Sequence, residues 1–386
     1  MLRRAAPLDW RWFDLPPTAP ARSLGQPLKS CRGLRQRRKS ASSPGKCRSA
    51  KYLLLIWFVS NNIGFSEISI GPRLQAKEPF MSQNIFIIGA SGFVGGTLAK
   101  HFLADGQRVV GLARTDRTAA TLKTMGIAVV RGDLEVNVAP VLAAARSAEV
   151  TIYAAQVAFE HEPAIIRTLC GALAGSGKTF IFLSGSGVFM QRTGGAWSPD
   201  SFAEDDPFLP EPLALPRVEA EGIVRAAVEQ GLRSMVIRPP VIWGPDDNGP
   251  VASVYRSVAA TGAACYIGSG LATYTHVYSA DLAQLFSLGV ERGQAGALYH
   301  AAAGEIPYRW IAEAVARDLG VNTRSLTMGE ATEVFGPFGA LLLSACSRSR
   351  DPRTRAELGW RPNQFDFLSQ VGEPRLRALA NLQPRK

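Results

Sequence analysis

From Asn84 onward, short apolar runs alternate with amphipathic segments. That alternation predicts a parallel sheet with helices on both faces. Strands are expected at Ile85–Ile88, Arg108–Leu112, Ile127–Val130, Val150–Tyr153, Phe180–Leu183 and Ser234–Ile237. Helices are expected between them at Gly95–Ala104, Ala119–Met125, Val138–Ala145, Ala164–Leu173 and Val218–Glu229. The spacing is that of successive right-handed βαβ units, which build an α/β, doubly wound parallel sheet. After Arg238 the pattern loosens: Pro and Gly cluster over 239–250 and shorter elements follow. The expected organisation is a leader over 1–80, a sheet domain over 81–240, and a smaller region over 241–386 that partly returns to the sheet.

The leader differs in kind. It is rich in Arg, Pro and Ser and has no sustained apolar period, so it reads as unfolded. Its apolar block Tyr52–Val59 is far shorter than the roughly 20 residues needed to span a bilayer. It also lies too far from Met1 for an ordinary secretory signal. The formal net charge of the 386-residue chain is +11. Residues 1–80 hold 15 Lys/Arg against 4 Asp/Glu, and the remainder holds 28 of each, so the folded part is neutral. The basicity therefore gives no reason to expect a nucleic-acid or membrane partner. Translation starting at Met81 is the preferred reading and implies a cytoplasmic protein. A transit peptide, implying a mitochondrion or plastid, is the alternative, and a nucleic-acid-binding arm a third. Five scattered cysteines (31, 47, 170, 265, 346) and four distant histidines (101, 161, 276, 300) form neither a disulfide framework nor a metal motif.

The first strand runs into Gly89-Ala90-Ser91-Gly92-Phe93-Val94-Gly95. A strand, a glycine-rich turn and a helix in that order place backbone N–H groups and a positive helix end against a pyrophosphate. Gly89 allows the tight turn, Gly92 lets backbone approach phosphate, and Gly95 permits close helix–strand packing. The sheet is thereby read as a Rossmann fold binding a dinucleotide.

Several segments, in order, resemble the extended, atypical branch of the short-chain dehydrogenase/reductase family, the NAD-dependent epimerases, dehydratases and reductases. They are the glycine spacing itself, Val129–Leu134, Ile152–Ala155, Arg238–Pro245, His276–Ala283 and Leu358–Pro362. The resemblance covers most of 82–362. It implies that Asp133 with Leu134 contacts adenine, that Ala154 and Ala155 lie under the nicotinamide ribose, and that Pro239 flanks the cofactor. It also implies a small-molecule substrate and is compatible with a homodimer.

At the end of the second strand, where NAD-binding forms carry an acid, the sequence reads Ala113-Arg-Thr-Asp-Arg117. Arg114 and Arg117 offer charged forks to a 2′-phosphate, so NADP is expected rather than NAD. Asp116 is the competing group, able to accept the ribose hydroxyls of NAD. A second glycine stretch, 172–179, fits a relaxed Walker A pattern, but it follows a helix and enters a strand. It is read as a helix C-cap and turn.

The family's chemistry uses a Tyr that passes a proton, a Lys four residues later, and a Ser or Thr that polarises the substrate oxygen. Ser184 or Ser186 is the candidate hydroxyl. Leu213 stands at the Tyr position and Arg217 at the Lys position. Leucine transfers no proton, and arginine keeps its charge without acting as an acid near neutral pH. Arg217 is expected at the ribose and nicotinamide end. Tyr153, Tyr255, Tyr274 and Tyr278 are alternative hydroxyls, each also readable as a packed aromatic. The expected function is an NADP-dependent oxidoreductase or epimerase/dehydratase-like enzyme on a small hydroxy or carbonyl compound. A non-catalytic NAD(P) sensor is the alternative. Loops 191–212 and 244–270 are expected to carry the substrate.

Overall fold

The computed structural model of the protein describes residues 82–247 and 249–381. The readings of the leader, as unfolded chain, transit peptide or upstream extension, lie outside the described residues.

The first half follows the hydrophobic pattern closely. Strands β1 (Asn84–Ile88), β2 (Arg108–Ala113), β3 (Ala128–Arg131), β4 (Val150–Tyr153), β5 (Thr179–Leu183) and β6 (Arg233–Arg238) alternate with α1 (Phe93–Ala104), α2 (Asp116–Thr124), α3 (Ala139–Ser147), α4 (Glu162–Leu173) and α5 (Leu215–Ala226). Helix α5 begins three residues before the expected Val218. Pro216 lies in its first turn, where a missing N–H costs no intrahelical bond. A 3-10 turn over Ala227–Gln230 ends at Gly231, whose φ is 74°.

Then come β7 (Val241–Trp243), α6 (Pro250–Thr261), β8 (Ala264–Ile267), β9 (Thr273–Tyr278), α7 (Ser279–Arg292), β10 (Leu298–His300), β11 (Gly304–Pro307), α8 (Tyr308–Leu319), β12 (Thr323–Leu326), α9 (Met328–Ser344), α10 (Pro352–Leu358) and α11 (Pro374–Arg377). The main sheet has seven strands in the order β10-β6-β5-β4-β1-β2-β3, and every pairing in it is parallel. Strand order reverses between β1 and β4, the switch point where such sheets open a ligand crevice at their carboxyl ends. β10 comes from the C-terminal region and pairs with β6, Leu298 against Val236.

One face of the sheet packs on α1 and α7 through Leu98, Phe102, Leu282 and Phe286. The other packs on α3, α4 and α5 through Val141, Ile166, Leu169, Ala220 and Val224. A third core, containing Trp243, Tyr255, Ile311 and Leu343, lies within the C-terminal region. There β9 pairs parallel with β7 and antiparallel with β11, and β8 pairs with β12. After α9 a strap returns towards the first half: residues 346, 349 and 347 bridge to Gln191, Phe202 and Tyr274. No helix among the described residues is long and apolar enough to cross a membrane.

Candidate active site

The glycine turn sits at the switch point and is close-packed on both sides. Gly89 has φ +97°, and a Cβ there would lie 2.5 Å from the carbonyl oxygen of Ala154. At Gly95 a Cβ would lie 2.2 Å from the carbonyl oxygen of Gly89. No side chain caps α1, whose N-cap is Gly92. Ser91 and Gly92 are exposed, and Phe93 and Val94 half-buried. The helix start thus presents backbone N–H groups outward, the arrangement that suits a pyrophosphate. Ala90 is fully buried, so it can offer only backbone.

Beyond β2, Arg114 is 72% exposed at its side chain, with Nη1 3.9 Å from Asp133 Oδ2. Arg117 is exposed as well. Asp116 is fully exposed, and Arg131, at the end of β3, donates to its carboxylate at 2.9 Å. Asp133 Oδ1 accepts from the backbone of Glu135 at 2.8 Å and Val136 at 3.1 Å. Those bonds, more than nearby Arg114, hold its carboxyl below the usual range. Leu134, Ala154 and Ala155 are half-buried. The Pro239 carbonyl accepts from Ser186 N at 2.9 Å, tying the β6 and β5 ends together.

The three candidate catalytic groups are not brought together. Ser184 Oγ donates to Glu221, which also holds Arg238 (Nε to Oε1, 2.7 Å), and all three side chains are buried. Ser186 is 2% exposed, and its Oγ lies 2.9 Å from the hydroxyl of Ser347 on the returning strap. Both hydroxyls are thus buried against partners, one on α5 and the other on the strap. Between them Gly185 offers no side chain, and a Cβ there would meet only the Pro239 carbonyl, at 3.8 Å. Arg217 is locked to Glu162 by a bidentate pair, Nε to Oε2 at 2.9 Å and Nη2 to Oε1 at 2.8 Å. Its guanidinium also stacks over Phe159 and Phe182, at 5.2 and 5.9 Å from the ring centroids. Arg217, expected at the ribose, is here the counter-charge of Glu162, which is fully shielded at the head of α4 and demands one. Burial pushes Glu162 above the ordinary carboxyl range, and Arg217 pulls it back.

Leu213 is half-buried in the 3-10 turn over Pro212–Ala214 that precedes α5. Of the alternative hydroxyls, Tyr153 is fully buried against Phe182, and burial pushes its pKa up. Tyr255 donates to Asp318 at 2.6 Å, far from the strand ends. Tyr274 is 4% exposed inside the C-terminal core. Tyr278 is half-buried at the end of β9, its ring 4.8 Å from that of Trp243. The 172–179 turn leads into β5, at the amino ends of the strands. Gly175 N and Gly177 N donate to the carbonyls of Gln230 and Gly231 at 2.7 and 3.0 Å, which leaves no phosphate cradle.

A dinucleotide cradle at the switch point of a parallel seven-stranded sheet accords with a family comparison. The profile of the NAD dependent epimerase/dehydratase family matches residues 85–302. The chain belongs to that family. Among similar proteins, an uncharacterized protein of Schizosaccharomyces pombe is 29% identical over 298 residues, 74% of this chain and 97% of the relative. A Dictyostelium discoideum protein named sterol-4-alpha-carboxylate 3-dehydrogenase, decarboxylating, is 24% identical over 64% of this chain and 79% of its own. Among solved structures, DesIV of Streptomyces venezuelae, a dTDP-glucose 4,6-dehydratase with NAD and TYD bound, superposes with a TM-score of 0.62. It is 18% identical and covers 77% of this chain and 97% of its own.

For this family member, the glycine cradle, Asp133 and the Arg114–Arg117 segment were visible in sequence. Glu162 and Ser347 were not, because their partners lie 55 and 161 residues away. Among the described residues no cluster of three or more metal-ligating side chains occurs.

Proposed function

We propose that the chain binds NADP and reduces a small carbonyl compound. The observation that carries this is the intact cradle: Gly89 and Gly95 leave no room for a Cβ, and the α1 N-terminus is uncapped. The residues present fit a dinucleotide. Gly89 to Gly95 would hold the pyrophosphate, with Ala90, Ser91, Phe93 and Val94 supplying backbone. Asp133 and Leu134 would hold the adenine, Ala154, Ala155 and Pro239 the nicotinamide half, and Arg114 with Arg117 a 2′-phosphate. Bound there, the cofactor supplies hydride.

The geometry of the chain's own groups narrows the reaction. Epimerisation and dehydration need a protein base to take a proton from the substrate. Leu213 has none to offer, Arg217 is held by Glu162, and both serine hydroxyls are shielded from the crevice. Reduction needs only a proton for the nascent alkoxide, which water can provide. A second reading is a non-catalytic NADP sensor, favoured by the same replacement of Tyr by Leu213 and the committed Arg217. Titration with NADPH followed by a carbonyl panel separates them. Consumption of NADPH supports the reductase; tight binding with no turnover across the panel supports the sensor, and absence of binding refutes both.

A further inference from the structure

The segment between the carboxyl end of β5 and α5 carries apolar side chains outward, and the cations around it are paired. Leu209 is 91% exposed and Leu215 54%, with Leu213 half-buried between them. This segment is fixed at the strand ends: Glu211 N donates to the Val188 carbonyl at 2.9 Å, and Phe208 packs on Phe189. The arginines around it are neutralised. Arg192 is bonded bidentately to Glu211. Arg348 reaches Glu305 at 2.9 Å, Arg350 reaches Asp206 at 2.6 Å, and Arg353 reaches Asp205. Between Lys178 and Lys386 the sequence contains no lysine.

We propose that the substrate is an uncharged, apolar carbonyl compound and not a nucleotide sugar such as dTDP-glucose. The proposal rests on the reductase reading and names its substrate class. A nucleoside diphosphate brings two phosphate charges that must exchange water for fixed cations or converging donors. Here Arg192, Arg348, Arg350 and Arg353 each already pair with a carboxylate, and freeing Arg192 would strand a buried one. Glu211, 5% exposed beneath Arg192, would lose that guanidinium. An apolar chain instead covers exposed leucine and gains from every methylene it shields.

The test is calorimetric titration of the full-length protein saturated with NADP⁺. The ligands are a series of straight-chain methyl ketones, with dTDP-glucose and UDP-glucose alongside. Ketone affinity should rise with length, by roughly two- to fourfold per methylene, while neither sugar nucleotide binds. Leu209→Asp, at a site too exposed to endanger folding, should flatten that slope and leave NADP⁺ affinity unchanged. Binding of either sugar nucleotide more tightly than the longest ketone overturns the proposal. So does a ketone series without a length dependence, or without binding at all. Failure of NADP⁺ to bind would strike the cofactor reading alone, and the same titrations on the cofactor-free protein would still decide the substrate class.

Discussion

Replacing Arg217 by Ala tests whether this side chain serves the fold or the cofactor. Glu162 is fully buried and Arg217 is 16% exposed at its side chain, so solvent can do little for the stranded carboxylate. Breaking a buried pair by deleting one partner costs about 3–5 kcal/mol. For a folded unit of roughly 300 residues, that corresponds to a fall in Tm of about 5–8 °C. The deficit should depend on pH with a definite sign. The folded-state pKa of Glu162 already lies above its ordinary value of 4.5 because of burial. Its contribution is therefore fully present below 4.5 and lost as pH rises through the raised value. Removing Arg217 raises that value further, so the variant's deficit should be larger at pH 8 than at pH 5. The assay is thermal unfolding of both proteins across that range, with an NADPH titration at each end. NADPH affinity should stay within about twofold, and Arg217→Ala with Glu162→Leu should recover most of the lost Tm, since no charge is then stranded. An unchanged Tm with a tenfold or greater loss of NADPH affinity would refute the assignment and return Arg217 to the cofactor.

Arg114→Ala should weaken NADPH binding by roughly ten- to a hundredfold and NADH binding hardly at all, as a charge-assisted contact to a 2′-phosphate requires; equal losses in the two titrations would contradict it. Gly95→Ala should abolish cofactor binding and depress Tm, because the new Cβ would stand 2.2 Å from a backbone carbonyl that cannot yield. His276 is 2% exposed, and burial lowers its pKa from 6.5 to about 4. Its contribution is present above 6.5 and lost as pH falls through about 4. His276→Phe should therefore lessen the acid-induced loss of stability in denaturant titrations by about 3 kcal/mol.

What was legible in the sequence was local. β1, the glycine turn and α1 lie within 21 consecutive residues, Asn84 to Ala104, and their chemistry is fixed by φ and close packing at Gly89 and Gly95. β4 was bounded to the residue, because Val-Thr-Ile-Tyr is a run of β-branched and aromatic residues that suits a strand buried on both faces. The short strands β7, β9 and β11 were not seen, since what makes them strands is pairing between segments distant in the chain, such as Val241 with His276. The partners of individual side chains were hidden for the same reason. Ser186 looks catalytic beside its neighbours in sequence and structural beside Ser347. Arg217 looks like a substitute for lysine until Glu162 is placed against it.

The pairing of β10 with β6 constrains how the polypeptide can be made. During synthesis, β6 emerges with one edge open, and its partner strand appears only some 60 residues later, after α6, β8, β9 and α7 have been built. The strap that meets Ser186 follows later still. A nascent chain halted near residue 290 would therefore hold a complete glycine cradle beside an unfinished sheet, with an unpaired hydrophobic edge open to neighbouring chains. Ligand competence and resistance to aggregation are thus acquired at different times on the ribosome. Truncations that spare every cofactor residue should still yield insoluble protein.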